Sequence, residues 1–417
     1  MANRPRILAI VLAGGEGKRL APLTRERSKP AVPFGGRYRI VDFVLSNLVN
    51  SGIHAIYLLV QYKSQSLIQH IQRAWVLAPI FPEQFVTVVP PQMQHGQEWF
   101  QGTANAVFQN LNLIEHHRPD IVAVFGADHV YRMDVRQMAD FHLEHDADVT
   151  VAALPIPRAA ARAFGVIDAA PDGRIRSFLE KPENPAAMPH DPRRSYASMG
   201  NYLFRARTLI EELKRASVSD RREKDFGRDV LPRLVNAHRM YAYDFAQNRV
   251  PGVRPSEEQA YWRDVGTLDA YFAAHQDTLG AEPRFNLFSP QWRIASRNYQ
   301  GPASRLVHAE IDNCIIGAGG LIKSAKLRNS IVRQDVRIEE DVEIEDCIVM
   351  DYCAIGRGAR LKRVIIDRYN TISSGERVGF DLDADRRVYH VTDSGIVVIA
   401  KGEHTLSAEH GYADRYL

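Results

Sequence analysis

Cysteine is scarce: Cys314, Cys347 and Cys353 are the only three in 417 residues, and no two stand in a C-x-x-C pair. That excludes a disulfide-stapled scaffold and the zinc-ribbon spacings, and it fits thiols kept reduced in a cytosolic protein. Long apolar runs are missing too. No stretch approaches the ~20 residues of a membrane-spanning helix. The polar Met1–Arg6 and the short apolar run after it do not make a signal peptide, so a cytoplasmic location is expected. Neither sign of charge dominates, since 53 Lys+Arg against 50 Asp+Glu leave a net +3. With no basic run and no aromatic–basic interleaving, nucleic acid and membrane surfaces are not expected partners.

What remains is an ordinary globular composition in a chain long enough for two domains. Ile7 to Leu12 reads ILAIVL, an unbroken apolar run that suits a central parallel strand covered on both faces. It breaks at Ala13-Gly14-Gly15-Glu16-Gly17-Lys18-Arg19-Leu20. Gly14, Gly15 and Gly17 remove the Cβ atoms that would keep backbone N–H groups from closing around an oxyanion. Lys18, Arg19 and then Lys29 add positive charge at the strand's carboxyl end, where open α/β sheets bind ligands. The turn is neither a Walker A loop nor a strict G-x-G-x-x-G. A phosphate cradle is the expectation, and a tight turn with solvated cations is the alternative.

The next segments alternate. A helix is expected around Ile40 to Asn50, a strand over His54–Val60, and a helix capped by Ser64 and running to about Trp75. Phe85–Val89 reads as a strand, Thr103–His116 as an amphipathic helix, and Ile121–Phe125 as a buried strand. Such alternation predicts a doubly wound, mostly parallel α/β sheet. Asp128 follows that last strand, on the same rim as the glycine turn, where a carboxylate can hold a divalent metal or simply serve a turn. Ser177–Pro182 places Glu180 and Lys181 at a strand end, suited to a sugar phosphate's hydroxyls and phosphate. Tyr261–Thr267 offers a second acid, Asp264, which could share a magnesium ion with Asp128.

Residues 1–282 are thus expected to form the catalytic domain, 283–302 a proline-containing linker, and 303–417 a second domain. In the last, aliphatic residues recur at every sixth position: Ile316 and Ile322; Val332, Ile338 and Ile344; Val349, Ile355 and Leu361; Ile366, Ile372 and Val378. The step shortens to five at Ile344–Val349 and Leu361–Ile366. Each hexapeptide would form one face of a triangular β-helix coil, with Cys347 and Cys353 as small inward residues.

Gly14-Gly15-Glu16-Gly17-Lys18-Arg19-Leu20, Lys29-Pro30-Ala31-Val32, Glu180-Lys181-Pro182 and a C-terminal β-helix together resemble the sugar-nucleotide pyrophosphorylases. Phe34-Gly35-Gly36, Ile40-Val41-Asp42-Phe43, His70-Ile71-Gln72-Arg73, Ser198-Met199-Gly200, Asp225-Phe226-Gly227 and Tyr261–Thr267 narrow the resemblance to bacterial ADP-glucose pyrophosphorylases. The resemblance implies a left-handed β-helix, a homotetramer, and conversion of ATP and α-D-glucose 1-phosphate to ADP-glucose and pyrophosphate for glycogen synthesis. It also implies allosteric control by a metabolite activator and an AMP-like inhibitor. Arg19 and Lys29 would hold the ATP phosphates, beside the glycines Gly14, Gly15 and Gly17 and the neighbouring Phe100. Asp128 would bind catalytic Mg²⁺ with Asp264 as partner. Gly165, Glu180, Lys181 and Ser198 would bind glucose 1-phosphate.

The chain departs from the family pattern at Phe100, usually tyrosine, at Asn105, commonly aspartate, and at Gly126-Ala127, a reversed pair. In enteric members fructose 1,6-bisphosphate docks against a lysine shortly before Lys-Pro-Ala-Val. Glu26 occupies that position here, with Arg27 and Arg39 retained, so weak activation by the bisphosphate is expected. Glu26 paired with a neighbouring arginine is the plainer expectation. Rival readings are a pyrophosphorylase for another nucleotide and sugar phosphate, a noncatalytic regulatory subunit, and an acyltransferase. The short β-helix argues against the last, and His308 and His390 are expected at its surface.

Overall fold

The computed structural model describes residues 4–77, 83–92, 98–218 and 224–402. Its first strand, Ile7–Ala13, is central. It pairs in parallel with Ala55–Val60 on one side and with Ile121–Gly126 on the other, and Ala55–Val60 pairs in parallel with Phe85–Val89. These are the expected strands, and their side chains fill the two layers of core above and below the sheet. The far half turns antiparallel. Arg194–Arg205 runs against Ile121–Gly126, and Gly165–Ala169 and Ile175–Glu180 continue outward in the same sense, within a sheet of nine strands.

Two helix expectations need correction. Ser64 precedes the helix Gln65–Ala74 but is itself in helical conformation and makes no side-chain cap. The single helix expected over Thr103–His116 is two, Thr103–Phe108 and Leu111–His117. The break lies at Asn110, whose side-chain amide donates to the Ala106 carbonyl at 2.8 Å and competes with the backbone ladder.

The C-terminal part is a triangular coil of three sheets, parallel throughout except where His390–Val391 pairs antiparallel with Val397–Ile399. Ile322, Ile338, Ile355 and Ile372 stack on one face, and Leu327, Ile344, Leu361 and Val378 on the second. Val332, Val349 and Ile366 stack on the third, where the next layer is Ile399. Cys347 and Cys353 are buried in this core, while His308 and His390 are exposed. Asp346 and Arg363 take positive φ within the two five-residue steps, so the shortened spacing marks one repeated corner.

Residues 281–304 form no strand or helix, yet Phe285, Leu287, Trp292 and Ile294 are buried. Phe285, Leu287 and Ile294 join a core shared with Phe34, Phe43 and Tyr271 from the sheet domain and Ile348, Ile365 and Val398 from the coil. Polar contacts lock the same junction. The Arg333 guanidinium donates to the carbonyls of Phe34, Gly35 and Tyr38 at 2.9, 2.7 and 3.0 Å and to Asp351 at 3.0 Å. Arg27 pairs with Asp367, and both are buried.

His275 supports the loop that Arg333 grips. Its Nδ1–H donates to the Tyr271 carbonyl at 2.8 Å and its Nε2 accepts from the Gly35 N–H at 3.1 Å. Burial, assisted by the Arg333 charge, pushes this imidazole down to about 3. An unfolded histidine titrates near 6.5, so between those values the unfolded chain binds a proton that the folded chain refuses. Stability from this group is therefore full above about pH 6.5 and falls as pH drops through that window. His275→Gln keeps an acceptor for Gly35, and urea unfolding should show its pH 7-to-5 loss smaller than wild type's by about 2 kcal/mol.

Candidate active site

The glycine turn leaves the first strand and passes into a short helical turn, Lys18–Leu20. Gly17 has φ +65, and a Cβ there would meet the Lys29 Cβ at 2.9 Å and Thr24 Cγ2 at 3.2 Å. Gly15 is different: a Cβ there would meet nothing within 4 Å. Its bare backbone answers no demand of the protein's own packing and leaves room for a ligand to approach. Lys18 turns outward to Glu16 at 2.6 Å and is 84% exposed, so it does not join the other two cations.

Lys29 and Arg19 converge on the two predicted acids. Asp128 follows Ile121–Gly126, and the next residues, His129–Tyr131, pair antiparallel with Trp262–Asp264 so that Asp264 lies opposite His129. This two-stranded ribbon is what brings the distant acids together. The buried Lys29 Nζ donates to Asp128 Oδ2 at 3.0 Å and to Asp264 Oδ1 at 2.9 Å. Arg19 Nη2 stands 3.8 Å from Asp264 Oδ2, and Gly266 lets the two approach, since a Cβ there would lie 3.0 Å from Nη2. Burial opposes the Asp128 charge, but His129 and Lys29 outweigh it and hold the carboxyl well below its usual range.

His129 is a residue the sequence reading missed. Its Nε2 is 3.5 Å from Asp128 Oδ1, its ring packs at a tilt against Trp262 with centroids 4.7 Å apart, and its Nδ1 is buried with no hydrogen-bond partner among the described residues. Burial lowers its pKa against the opposing pull of Asp128. Ligand atoms of Asp128, His129 and Asp264 all lie within 4.8 Å of one another, a donor set with two carboxylates that suits a hard divalent cation. Position directly after a flagged acid was the only available signal.

The second predicted group lies along the antiparallel half of the rim. Gly165 pairs with Glu180 across two strands, and a Cβ on Gly165 would sit 3.0 Å from Glu180 Oε2. Gly227, not singled out as a site residue, closes the other side, with its Cβ position 3.1 Å from the same oxygen. Glu180 is thus nested between two bare backbones. Lys181 takes φ +50, is held by its N–H to the Phe164 carbonyl at 3.0 Å, and leaves its ammonium 3.6 Å from Glu180 and largely exposed. Ser198 sits at a break in strand register, where its Oγ accepts from the Gly200 N–H at 3.2 Å. Sheet order puts this strand beside the one that leads to Asp128.

Phe100 is held through its backbone. Its N–H donates to Gln61 Oε1 at 2.6 Å and its carbonyl accepts from Gln61 Nε2 at 3.2 Å. The Asn105 side chain faces neighbours instead, with Oδ1 accepting from the Gln101 N–H at 3.0 Å and Gln109 Nε2 at 2.9 Å.

Residues 8–280 match the nucleotidyl transferase family model, and residues 302–399 match the GlmU-like C-terminal hexapeptide model. The chain is 54% identical to a glucose-1-phosphate adenylyltransferase of Thermodesulfovibrio yellowstonii, over 95% of this chain and 96% of that protein. It is 47% identical to the Corynebacterium jeikeium protein of the same name, over 96% and 99% of the two chains. For the one from Mycolicibacterium smegmatis the identity is 45%, again over 96% and 99%.

The two glycines separate packing from ligand access. Gly17→Ala must place a side chain in the left-handed region against Lys29, so thermal or urea unfolding should show a loss of about 1–3 kcal/mol. Gly15→Ala meets no atom and should unfold as the wild type does.

Proposed function

This chain belongs to the glucose-1-phosphate adenylyltransferases, and from that membership we propose how its own residues carry the reaction. The enzyme transfers the adenylyl group of ATP to α-D-glucose 1-phosphate, giving ADP-glucose and pyrophosphate, the step that leads to bacterial glycogen. The observation that carries the site assignment is the convergence of Asp128, Asp264, Lys29 and Arg19 beside the open backbone of Gly15.

In this reading Gly14, Gly15 and Gly17 turn backbone toward the ATP phosphates, and Arg19 and Lys29 supply cations for them. Glu180 orients glucose hydroxyls, Lys181 takes the sugar's phosphate, and Gly165 and Ser198 shape the space around them. The sugar phosphate oxygen attacks the α-phosphorus as pyrophosphate leaves, so charge grows on the bridging oxygen. Fixed cations aimed there stabilise the transition state without any covalent intermediate on the protein. Asp128 and Asp264, with His129 beside them, would hold Mg²⁺, which when bound supplies further charge neutralisation at the phosphates. Alignment of attacking and leaving oxygens is the remaining contribution of the chain.

The test is pyrophosphate release from ATP and glucose 1-phosphate by the purified chain, with magnesium and with excess EDTA. Equal turnover under both conditions refutes the metal assignment. Asp128→Asn keeps the shape and removes a charge, and turnover should drop by about two orders of magnitude or more with circular dichroism unchanged. Lys181→Gln should raise KM for glucose 1-phosphate more than it lowers kcat, with KM for ATP little altered, because a point cation on a ground-state phosphate binds almost uniformly.

Control by metabolites and a homotetrameric assembly are part of the same proposal. Glu26 pairs with Lys401 from the coil rather than with a neighbouring arginine, and Arg27 is committed to buried Asp367. Arg39 donates to the Ser66 carbonyl and forms no ion pair among the described residues; burial and the charges of Arg368 and Arg27 push its pKa down to about 9. An under-neutralised arginine at the domain junction supports an anion site, and Glu26, standing where the enteric relatives have a lysine, disfavours a bisphosphate. Activity titrations should show weak or no stimulation by fructose 1,6-bisphosphate, with fructose 6-phosphate or pyruvate the better activator and AMP inhibitory. Strong stimulation by micromolar bisphosphate would refute the charge argument.

A further inference from the structure

The adenylyl-transfer reading asks two things of one place. It needs Asp128 and Asp264 free to hold a divalent ion, yet their inner oxygens are already bonded to the Lys29 ammonium at 3.0 and 2.9 Å. The lysine is well set there. Its side chain is 7% exposed, and its Cβ packs under Gly17, whose missing Cβ makes the space. Of the remaining oxygens, Asp128 Oδ1 faces His129 Nε2 at 3.5 Å and Asp264 Oδ2 faces Arg19 at 3.8 Å. Neither contact is close enough to replace the ammonium as neutraliser of the pair.

A Mg²⁺ or Mn²⁺ ion about 2.1 Å from either inner oxygen would lie within about 5 Å of Nζ, given the 2.9 and 3.0 Å contacts. The two cations draw on the same lone pairs and repel each other across that gap. They are competitors. Two carboxylates with neither cation between them are also disfavoured, since like charges at short range resist joint ionisation.

We propose that Lys29 is a resident counter-cation that keeps the metal position filled until a nucleotide arrives. Ammonium and divalent ion occupy the space between Asp128 and Asp264 in turn, and the lysine yields when nucleotide phosphates offer it another anionic partner. Metal alone then binds weakly, and metal and nucleotide enter with positive coupling, which must be reciprocal. The proposal rests on Asp128 and Asp264 being the metal ligands, so its test has to tell the two ideas apart.

The probe is Mn²⁺ without nucleotide, titrated into the full-length protein and followed by the electron paramagnetic resonance of the free ion. Lys29→Met and Lys29→Gln should bind one Mn²⁺ per chain more tightly than wild type, by about 5–150-fold, the usual span of a coupling between ligands. Adding Asp264→Asn to either variant should remove the gain. In a second readout, Mg²⁺ alone should raise the melting temperature of the variants and not that of wild type. Equal Mn²⁺ affinity in wild type and variants would overturn the role of Lys29 while leaving the metal ligands in place. Binding by none of the chains would overturn both. Should neither variant fold, wild type decides alone: uptake of Mn²⁺ at micromolar concentration without nucleotide overturns the proposal, and its absence, with uptake restored by a non-hydrolysable ATP analogue, supports it.

Discussion

One ammonium group ties the catalytic half of this molecule together. Lys29 reaches Asp128 and Asp264 from 99 and 235 residues away, and each partner comes from a different layer of construction. The lysine lies after a glycine turn that only a bare backbone can make, because any Cβ on Gly17 would strike the lysine's own stem. Asp128 follows the end of a parallel strand, and Asp264 is carried in by a ribbon that pairs with the residue after Asp128. Take the lysine away and the two acids are left facing each other as uncompensated charge in a half-buried cleft, which is costly. The rim of the sheet is therefore set by electrostatic closure as much as by packing.

The rim around Glu180 and Lys181 is organised differently. There the backbone, not a counter-ion, sets position: Glu180 is confined by Gly165 and Gly227, and Lys181 is presented by a left-handed residue at the end of an edge strand. A rigid acid beside a loosely held cation suits a ligand with many hydroxyls and one phosphate. The hydroxyls need fixed geometry, whereas the phosphate tolerates a mobile charge.

Much of this was legible in the sequence, for identifiable reasons. Apolar runs such as Ile7–Leu12 and Ile121–Phe125 mark central strands because both faces are buried, and the hexad of aliphatics in the coil survives because each must stack on its equivalent one turn away. Asp128 stood out because it follows a buried run, and Asp264 because it follows the aromatic pair Tyr261-Trp262. The antiparallel half of the sheet was harder, since Arg194–Arg205 alternates buried and half-exposed residues and mimics a surface strand over much of its length. Ser64 and Asn110 misled for a common reason. Short polar side chains satisfy backbone groups in several local arrangements, and tertiary context selects among them. His129 and Gly227 matter only through what they face, and that is fixed by register and by loop approach rather than by local pattern.

The shared core at the junction has a consequence for how the protein is made. Phe34, Phe43 and Tyr271 belong to the half synthesised first, but Ile348, Ile365 and Val398 that cover them lie in the half synthesised last. At roughly 5–20 residues per second, the N-terminal half waits several seconds with that apolar surface uncovered and with the loop at Phe34 and Gly35 lacking its Arg333 donors. During this interval the nascent chain exposes an adhesive face next to its most precisely built loop. A stall in translation between residues 300 and 398 would prolong that exposure, which makes the ribosome-bound intermediate, rather than the finished enzyme, the form most prone to aggregate.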